Sequence, residues 1–237
     1  MGASALSRIS AVDNAVPAHV IGELRAEIIE SQARRPTKSD GRTHWYSLDA
    51  PPRLLFEQVI QHLRRFVPRA HELVGAEWWF RATATDTEFP FHFDRDEGIR
   101  TSIVSPSLAS ILYLSNAGGP TVILGATPSR SAAPDAGIAV HPRPGRFGMF
   151  PGELLHGVLP GPSSRWPRVT MLVNWWRTVP RMERAPALRG SAPVSPRWRA
   201  GARRTRTPLV ALESIDPSRL LSRAAWRDLI SNQATYR

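Results

Sequence analysis

The chain of 237 residues is 42% hydrophobic, lacks cysteine, and sets 31 Lys and Arg against 20 Asp and Glu, for a formal net charge of +11. That length supports one sizeable core, and the lack of cysteine excludes disulfides, thiolate nucleophiles and Cys-ligated zinc or iron–sulfur centres, so any metal must sit on His and carboxylate. No run approaches the ~20 apolar residues of a spanning helix and no apolar signal core follows Met1, which predicts a soluble, cytoplasmic protein without membrane insertion.

Residues 1–12 contain Arg8 and three serines but no acid, and read as an ordinary terminus with an organelle-targeting segment as the lesser alternative. After Pro17, Val20, Leu24, Ile28 and Ile29 recur at helical spacing; after Pro51-Pro52, Leu54, Leu55, Val59, Ile60, Leu63 and Phe66 do the same. Two helices are therefore predicted in 1–75, as support for the core. From Ala76 the period shortens, and Ala76–Thr85, Ser110–Ser115, Thr121–Leu124, Gly145–Phe150 and Val169–Trp175 read as strands divided by Gly, Pro and Asn turns. Helices first and short strands after them predict an α+β protein whose 76–180 region is an antiparallel jelly roll.

Nine arginines fall between Arg177 and Arg206, amid Pro, Ala, Gly and Ser, so 181–209 reads as a basic Pro/Arg-rich linker in which Trp198 is an isolated docking candidate. Residues 210–237 form a C-terminal segment, in which Asp216-Pro217-Ser218 starts an amphipathic helix carrying Leu220, Leu221, Ala224, Ala225, Leu229 and Ile230. The charge thus belongs largely to the tail, which weakens it as a sign of nucleic-acid binding.

The chemistry concentrates in two motifs. In Phe89-Pro90-Phe91-His92-Phe93-Asp94, the His and Asp stand two apart on an extended segment and leave it on one face. Phe150-Pro151-Gly152-Glu153-Leu154-Leu155-His156-Gly157 places a second His beside a turn. Two imidazoles and a carboxylate take one face of an octahedron and leave three positions open, the arrangement of iron(II) oxygenases. Asp96 and Glu97 are alternatives to Asp94 as ligand. Arg168-Val169-Thr170 follows at the head of an apolar strand, where a guanidinium can hold a carboxylate in bidentate fashion and the Thr hydroxyl can add a bond. Arg165, in the Pro162–Pro167 loop, is its rival. His44, His62, His71 and His141 read as structural or surface residues, and the loop Asp94–Ser107 as a candidate lid.

Over roughly residues 76 to 177 the sequence resembles the double-stranded β-helix 2-oxoglutarate/iron(II) oxygenases, especially the prolyl 4-hydroxylase-like branch. The resemblance is carried, in order, by His92-Phe93-Asp94, Tyr113-Leu114-Ser115, Gly118-Gly119-Pro120-Thr121, Gly145 to Phe150, His156-Gly157-Val158 and Arg168-Val169-Thr170. It implies a cupin-like double-stranded β-helix fold, iron(II) on His92, Asp94 and His156, and 2-oxoglutarate held at its distal carboxylate by Arg168 with Thr170 and Tyr113. It further implies a dioxygenase that consumes O2, releases succinate and CO2, and hydroxylates a C–H bond of a small molecule or peptidyl side chain. Asp94 argues against halogenation, because halogenases of the family carry a small residue there. A nucleic-acid demethylase of the same superfamily is disfavoured, since its second arginine would fall at Asn174. A non-catalytic jelly-roll binding protein with a basic tail is the alternative of another class.

Overall fold

The computed structural model describes residues 5–34, 43–129, 132–181, 183–184, 193, 198, 209–220, 222, 224–226 and 228. The chain runs β1 (Ser10–Val12), α1 (Ala18–Arg34), β2 (His44–Ser47), α2 (Leu55–Leu63), β3 (Gly75–Thr83), β4 (Phe89–His92), β5 (Leu108–Tyr113) and β6 (Thr121–Leu124). It continues through β7 (Gly137–Val140), β8 (Phe147–Phe150), β9 (His156–Val158), β10 (Arg168–Trp176) and β11 (Glu213–Ile215). Two antiparallel sheets result, a major one in the order β1-β8-β5-β10-β3-β2 and a minor one in the order β11-β7-β6-β9-β4. They form the two walls of a jelly roll, the expected double-stranded β-helix.

Alternation along β3 and β10 builds the layers. Trp78, Val169, Met171, Val173 and Trp175 leave the outer face of the major sheet and bury against Val20, Leu24 and Ile28 of α1 and Phe56, Val59 and Ile60 of α2. The opposite faces of the same strands turn toward the minor sheet, where Ile111, Tyr113, Ile123, Val140 and Phe150 pack together. The outside of the minor sheet is covered in turn, with Val122, Leu124 and Ala139 packed against Trp226. At the start of α2, Glu57 Oε2 accepts the Leu54 N–H at 3.2 Å, satisfying a donor that the helix itself leaves unpaired.

Residues 1–75 supply strands as well as the two expected helices. β1 adds to β8 and β2 to β3, closing both edges of the major sheet. Strands of three and four residues without alternation, such as His44-Trp45-Tyr46-Ser47, leave no periodic signal, because long-range pairing rather than local pattern selects them.

The described points of 181–209 are docked. Arg184 bridges to Thr43, Pro193 to Leu54 and Leu209 to Val12. The Trp198 carbonyl accepts Gln58 Nε2 at 2.6 Å, and its ring lies 4.6 Å from that of His62. The rest of the basic linker lies outside the described residues. β11 pairs with β7. Of the helix expected over 220–230, residues 224–226 are helical, with the Trp226 N–H donating to the Ser222 carbonyl at 2.9 Å; Leu221, Leu229 and Ile230 lie outside the described residues. Among the described residues no helix is long and apolar enough to cross a membrane.

Candidate metal centre

Strand register sets which side chains share the space between the sheets. Arg168 lies opposite Thr83, Thr170 opposite Arg81 and Tyr113, Leu172 opposite Trp79 and Ile111, and Asn174 opposite Glu77 and Ala109. Directly opposed residues face the same way, so these form successive layers of the inner face. A cleft opens there, bounded among others by Trp79, Arg81, Phe89, His92, His156 and Arg168.

On the facing sheet, β4 and β9 bring His92 and His156 into direct register. His92, Asp94 and His156 each offer a ligand atom, all within 4.8 Å of one another. His92 Nε2 stands 3.6 Å from Asp94 Oδ1, and His156 Nε2 stands 3.6 Å from Asp94 Oδ2. That is too long for a hydrogen bond, and near the ~3 Å that separates adjacent ligands on a cation with ~2.1 Å bonds. Each ring is oriented from behind by the backbone. His92 Nδ1 donates to the Pro90 carbonyl at 2.9 Å and His156 Nδ1 to the Leu154 carbonyl at 2.9 Å, which leaves both Nε2 lone pairs aimed inward.

Burial and mutual charge couple the three groups. Burial drives the His156 ring down to about 4, the neutral form that ligates a cation. Burial acts likewise on His92, but the Asp94 carboxylate beside it outweighs this and holds that ring above its ordinary value. Burial opposes ionisation of Asp94 too, and the His156 and His92 imidazoles more than compensate, holding it below the carboxylate range. Behind Asp94, Glu77 is pushed up to about 7 by burial, with the Asp94 field in the same direction. Glu77 Oε2 accepts Trp176 Nε1 at 3.1 Å and Asn174 Nδ2 at 3.4 Å.

Several layers away lies a seat of opposite character. Arg168 Nη2 donates to Thr121 Oγ1 at 3.1 Å, Thr121 Oγ1 lies 2.8 Å from the Tyr113 hydroxyl, and that hydroxyl lies 2.9 Å from the Val140 carbonyl. A carbonyl only accepts, so the single Tyr113 proton goes to Val140 and Thr121 donates to Tyr113. The Tyr113 hydroxyl therefore meets Thr121 rather than the cleft. Among the described residues, Arg168 Nε and Thr170 Oγ1 are buried without a hydrogen-bond partner. Two unpaired buried donors on one face fit an incoming carboxylate. Gly118, at φ +88°, lies against the Arg168 stem, and a Cβ there would come within 2.6 Å of its Cδ.

The rival residues face elsewhere. Asp96 accepts the Gly98 N–H at 3.0 Å and the Arg181 N–H at 2.7 Å, so its carboxylate pins the loop after Asp94 to the chain beyond β10. Glu97 pairs with Arg95 at 3.0 Å. Arg165 is exposed over the Trp166 ring. His141 pairs with Glu213 at 2.7 Å, and His62 is a buried core residue. Three inner-face residues that sequence reasoning missed are Arg81, Thr121 and Glu77. The signal that would have found Arg81 and Glu77 is the apolar alternate set Ala76, Trp78, Phe80 and Ala82, which turns its intervening partners inward.

No family model matches the chain, and no curated protein matches it. Among solved structures it is similar to a prolyl-4-hydroxylase of Pseudomonas putida, at 19% identity over 76% of this chain and 100% of that one, with a TM-score of 0.53. It is also similar to a viral collagen prolyl hydroxylase of Paramecium Bursaria Chlorella virus-1 in complex with 2-oxoglutarate, at 14% identity, 70% and 93% coverage, and a TM-score of 0.46. HygX of Streptomyces hygroscopicus, with nickel and 2-oxoglutarate bound, matches at 14% identity, 78% and 91% coverage, and 0.46. The first of these likenesses supports the double-stranded β-helix fold.

Proposed function

We propose that this chain is an iron(II)- and 2-oxoglutarate-dependent oxygenase that hydroxylates a C–H bond of a small molecule or peptidyl side chain. The observation that carries the reading is the convergence of His92, Asp94 and His156 ligand atoms within 4.8 Å, beside a cleft that Arg168 also lines. The donor set of two imidazoles and one carboxylate suits iron(II) and leaves adjacent positions for a chelating 2-oxoacid and for O2. When bound, iron(II) would let O2 oxidise 2-oxoglutarate and the substrate together, one oxygen atom going to succinate as CO2 is lost and the other to the hydroxylated product.

The protein's own part is placement and exclusion of water. His92 and His156 hold the cation through nitrogens whose direction is set by the Pro90 and Leu154 carbonyls. Arg168 Nε and the Thr170 hydroxyl take the distal carboxylate of the cosubstrate, with Thr121 and Tyr113 bracing the guanidinium. Trp79, Ile111 and Leu172 wall the cleft between the two seats, so the C–H bond is met in apolar surroundings. Hydroxylation rather than halogenation follows from Asp94, whose carboxylate fills the position a halide would need.

Anaerobic titration of the protein with iron(II) and then 2-oxoglutarate tests the reading. The expected result is a weak visible charge-transfer band of a chelated 2-oxoacid, absent in His92→Ala and His156→Ala. A folded wild-type protein that binds both components without that band overturns it.

A further inference from the structure

Arg81 takes no part in the metal triad or in the carboxylate seat. Its place opposite Thr170 turns it into the cleft, one layer from Arg168, and its guanidinium lies 4.3 Å from the centroid of the Phe89 ring. Phe89 belongs to β4, which ends the minor sheet and does not pair with β3. Arg81 therefore stands on the open side of the jelly roll, where a molecule can reach it. It is half-buried beside Trp79, Phe89 and Leu172, and it feels the charges of both Asp94 and Arg168.

Among the described residues Arg81 forms no ion pair; Glu88 also lines the cleft but is exposed and does not pair with it. A guanidinium held against apolar walls without an ion pair loses hydration that an anion replaces most strongly. The cosubstrate does not need to supply that anion. On the oxygenase reading, its distal carboxylate has Arg168 Nε and Thr170 Oγ1, and its other end has the metal. The remaining molecule is the one to be oxidised.

We propose that Arg81 is the specificity-determining cation of the cleft and receives a carboxylate of the primary substrate, so that the enzyme acts on organic acids. The inference rests on the oxygenase reading for the identity of the molecule, and on strand register for the position of the cation. A planar fork against an aromatic ring favours the flat, bidentate carboxylate.

Calorimetric titration under nitrogen decides it, using iron(II)-loaded protein saturated with 2-oxoglutarate and two matched pairs, hexanoate against hexanamide and 3-phenylpropanoate against 3-phenylpropanamide. At least one acid should bind about tenfold or more tightly than its amide, the size of one charge-assisted contact. Arg81→Gln should bring acid and amide to within about twofold, Arg81→Lys should keep part of the preference, and the affinity for 2-oxoglutarate should stay within about twofold in both. Acids that bind no better than amides, or not at all, overturn the proposal. So does a preference that survives Arg81→Gln, or a loss that falls on 2-oxoglutarate. Failure of iron and 2-oxoglutarate to load sinks the oxygenase reading separately, and the acid–amide comparison on metal-free protein still decides the role of Arg81. Circular dichroism and a thermal melt establish that each variant is folded, and Arg81→Lys provides the second variant if Arg81→Gln is not.

Discussion

The Asp96 carboxylate accepts the backbone N–H of Arg181 at 2.7 Å across 85 positions of sequence, and its other oxygen accepts the Gly98 N–H. Asp96 is 2% exposed, while the two backbone donors it holds belong to residues at the surface. Asp96→Ala should lower stability by about 1.5–2 kcal/mol, from loss of two charge-assisted bonds to the backbone of Gly98 and Arg181, which water can partly replace at those exposed positions. Iron(II) stoichiometry, measured by anaerobic titration, should stay the same. A variant that melts normally but no longer binds iron would make Asp96 the ligand in place of Asp94.

Arg168→Ala should weaken 2-oxoglutarate binding by roughly tenfold to more than a hundredfold, corresponding to ~1.5–3 kcal/mol, while iron(II) binding persists. Tyr113→Phe and Thr121→Val should each give a smaller loss, because their hydroxyls act by bracing the guanidinium. Equilibrium titration of the iron(II) protein with 2-oxoglutarate measures all three. Unchanged affinity in Arg168→Ala would move the seat to another cation of the cleft.

His62 gives a pH dependence that is separate from the metal. Its Nε2–H donates to the Ala15 carbonyl at 3.0 Å, while Nδ1 is buried without a partner among the described residues. Burial, reinforced by Arg65, lowers this histidine from 6.5 to about 4. The folded state therefore binds the proton less readily than the unfolded chain, so this contribution is complete above pH 6.5 and is lost as pH falls toward 4. Its size is at most on the order of 3 kcal/mol. His62→Gln should flatten the fall in melting temperature between about pH 6.5 and 4.5 relative to wild type; parallel curves would exclude it.

The segment after β10 is part of the folded body at several points. Trp226 is 4% exposed against the minor sheet, and Trp198 is 6% exposed beside α2. Trp226→Ala should cost ~3–5 kcal/mol, as for other buried aromatic residues cut to Ala. Removal of 181–237 should expose both contact surfaces and lower the thermal midpoint sharply, even though all the proposed ligands lie upstream. A truncated chain as stable as the whole would mean these contacts contribute nothing.

The parts of the fold read from the sequence are those with a local cause. Pro17 and Pro51-Pro52 announce α1 and α2, and the apolar alternation of Val169, Met171, Val173 and Trp175 announces β10. β1, β2 and β11 escaped because three or four residues give too little period and their pairing partners lie far along the chain. In the centre, His92, Asp94 and His156 were legible from residue type and order. Arg81 was not, because a lone charge in a strand resembles a solvent-facing one until the helices behind it cover the other face. Trp198 was legible as an isolated docking candidate, but its seat against Gln58 and His62 was not, since a Pro- and Arg-rich segment has the profile of a free linker wherever single anchors hold it.

The position of β4 at the end of the minor sheet affects more than access to the cleft. A strand paired on one side presents unused backbone donors and acceptors to any other extended chain, and β4 must keep that side open for the site to admit a substrate. Pro90, exposed in the middle of this strand, lacks the N–H that a templated partner would need, and the pairing of β4 with β9 is itself irregular between Phe89 and His92. Three aromatic residues flank it, Phe89, Phe91 and Phe93, in a short stretch that would otherwise suit intermolecular β-pairing. Pro90 thus removes a backbone donor from the strand that carries two proposed metal ligands at or just beyond its end, which disfavours templated pairing along it.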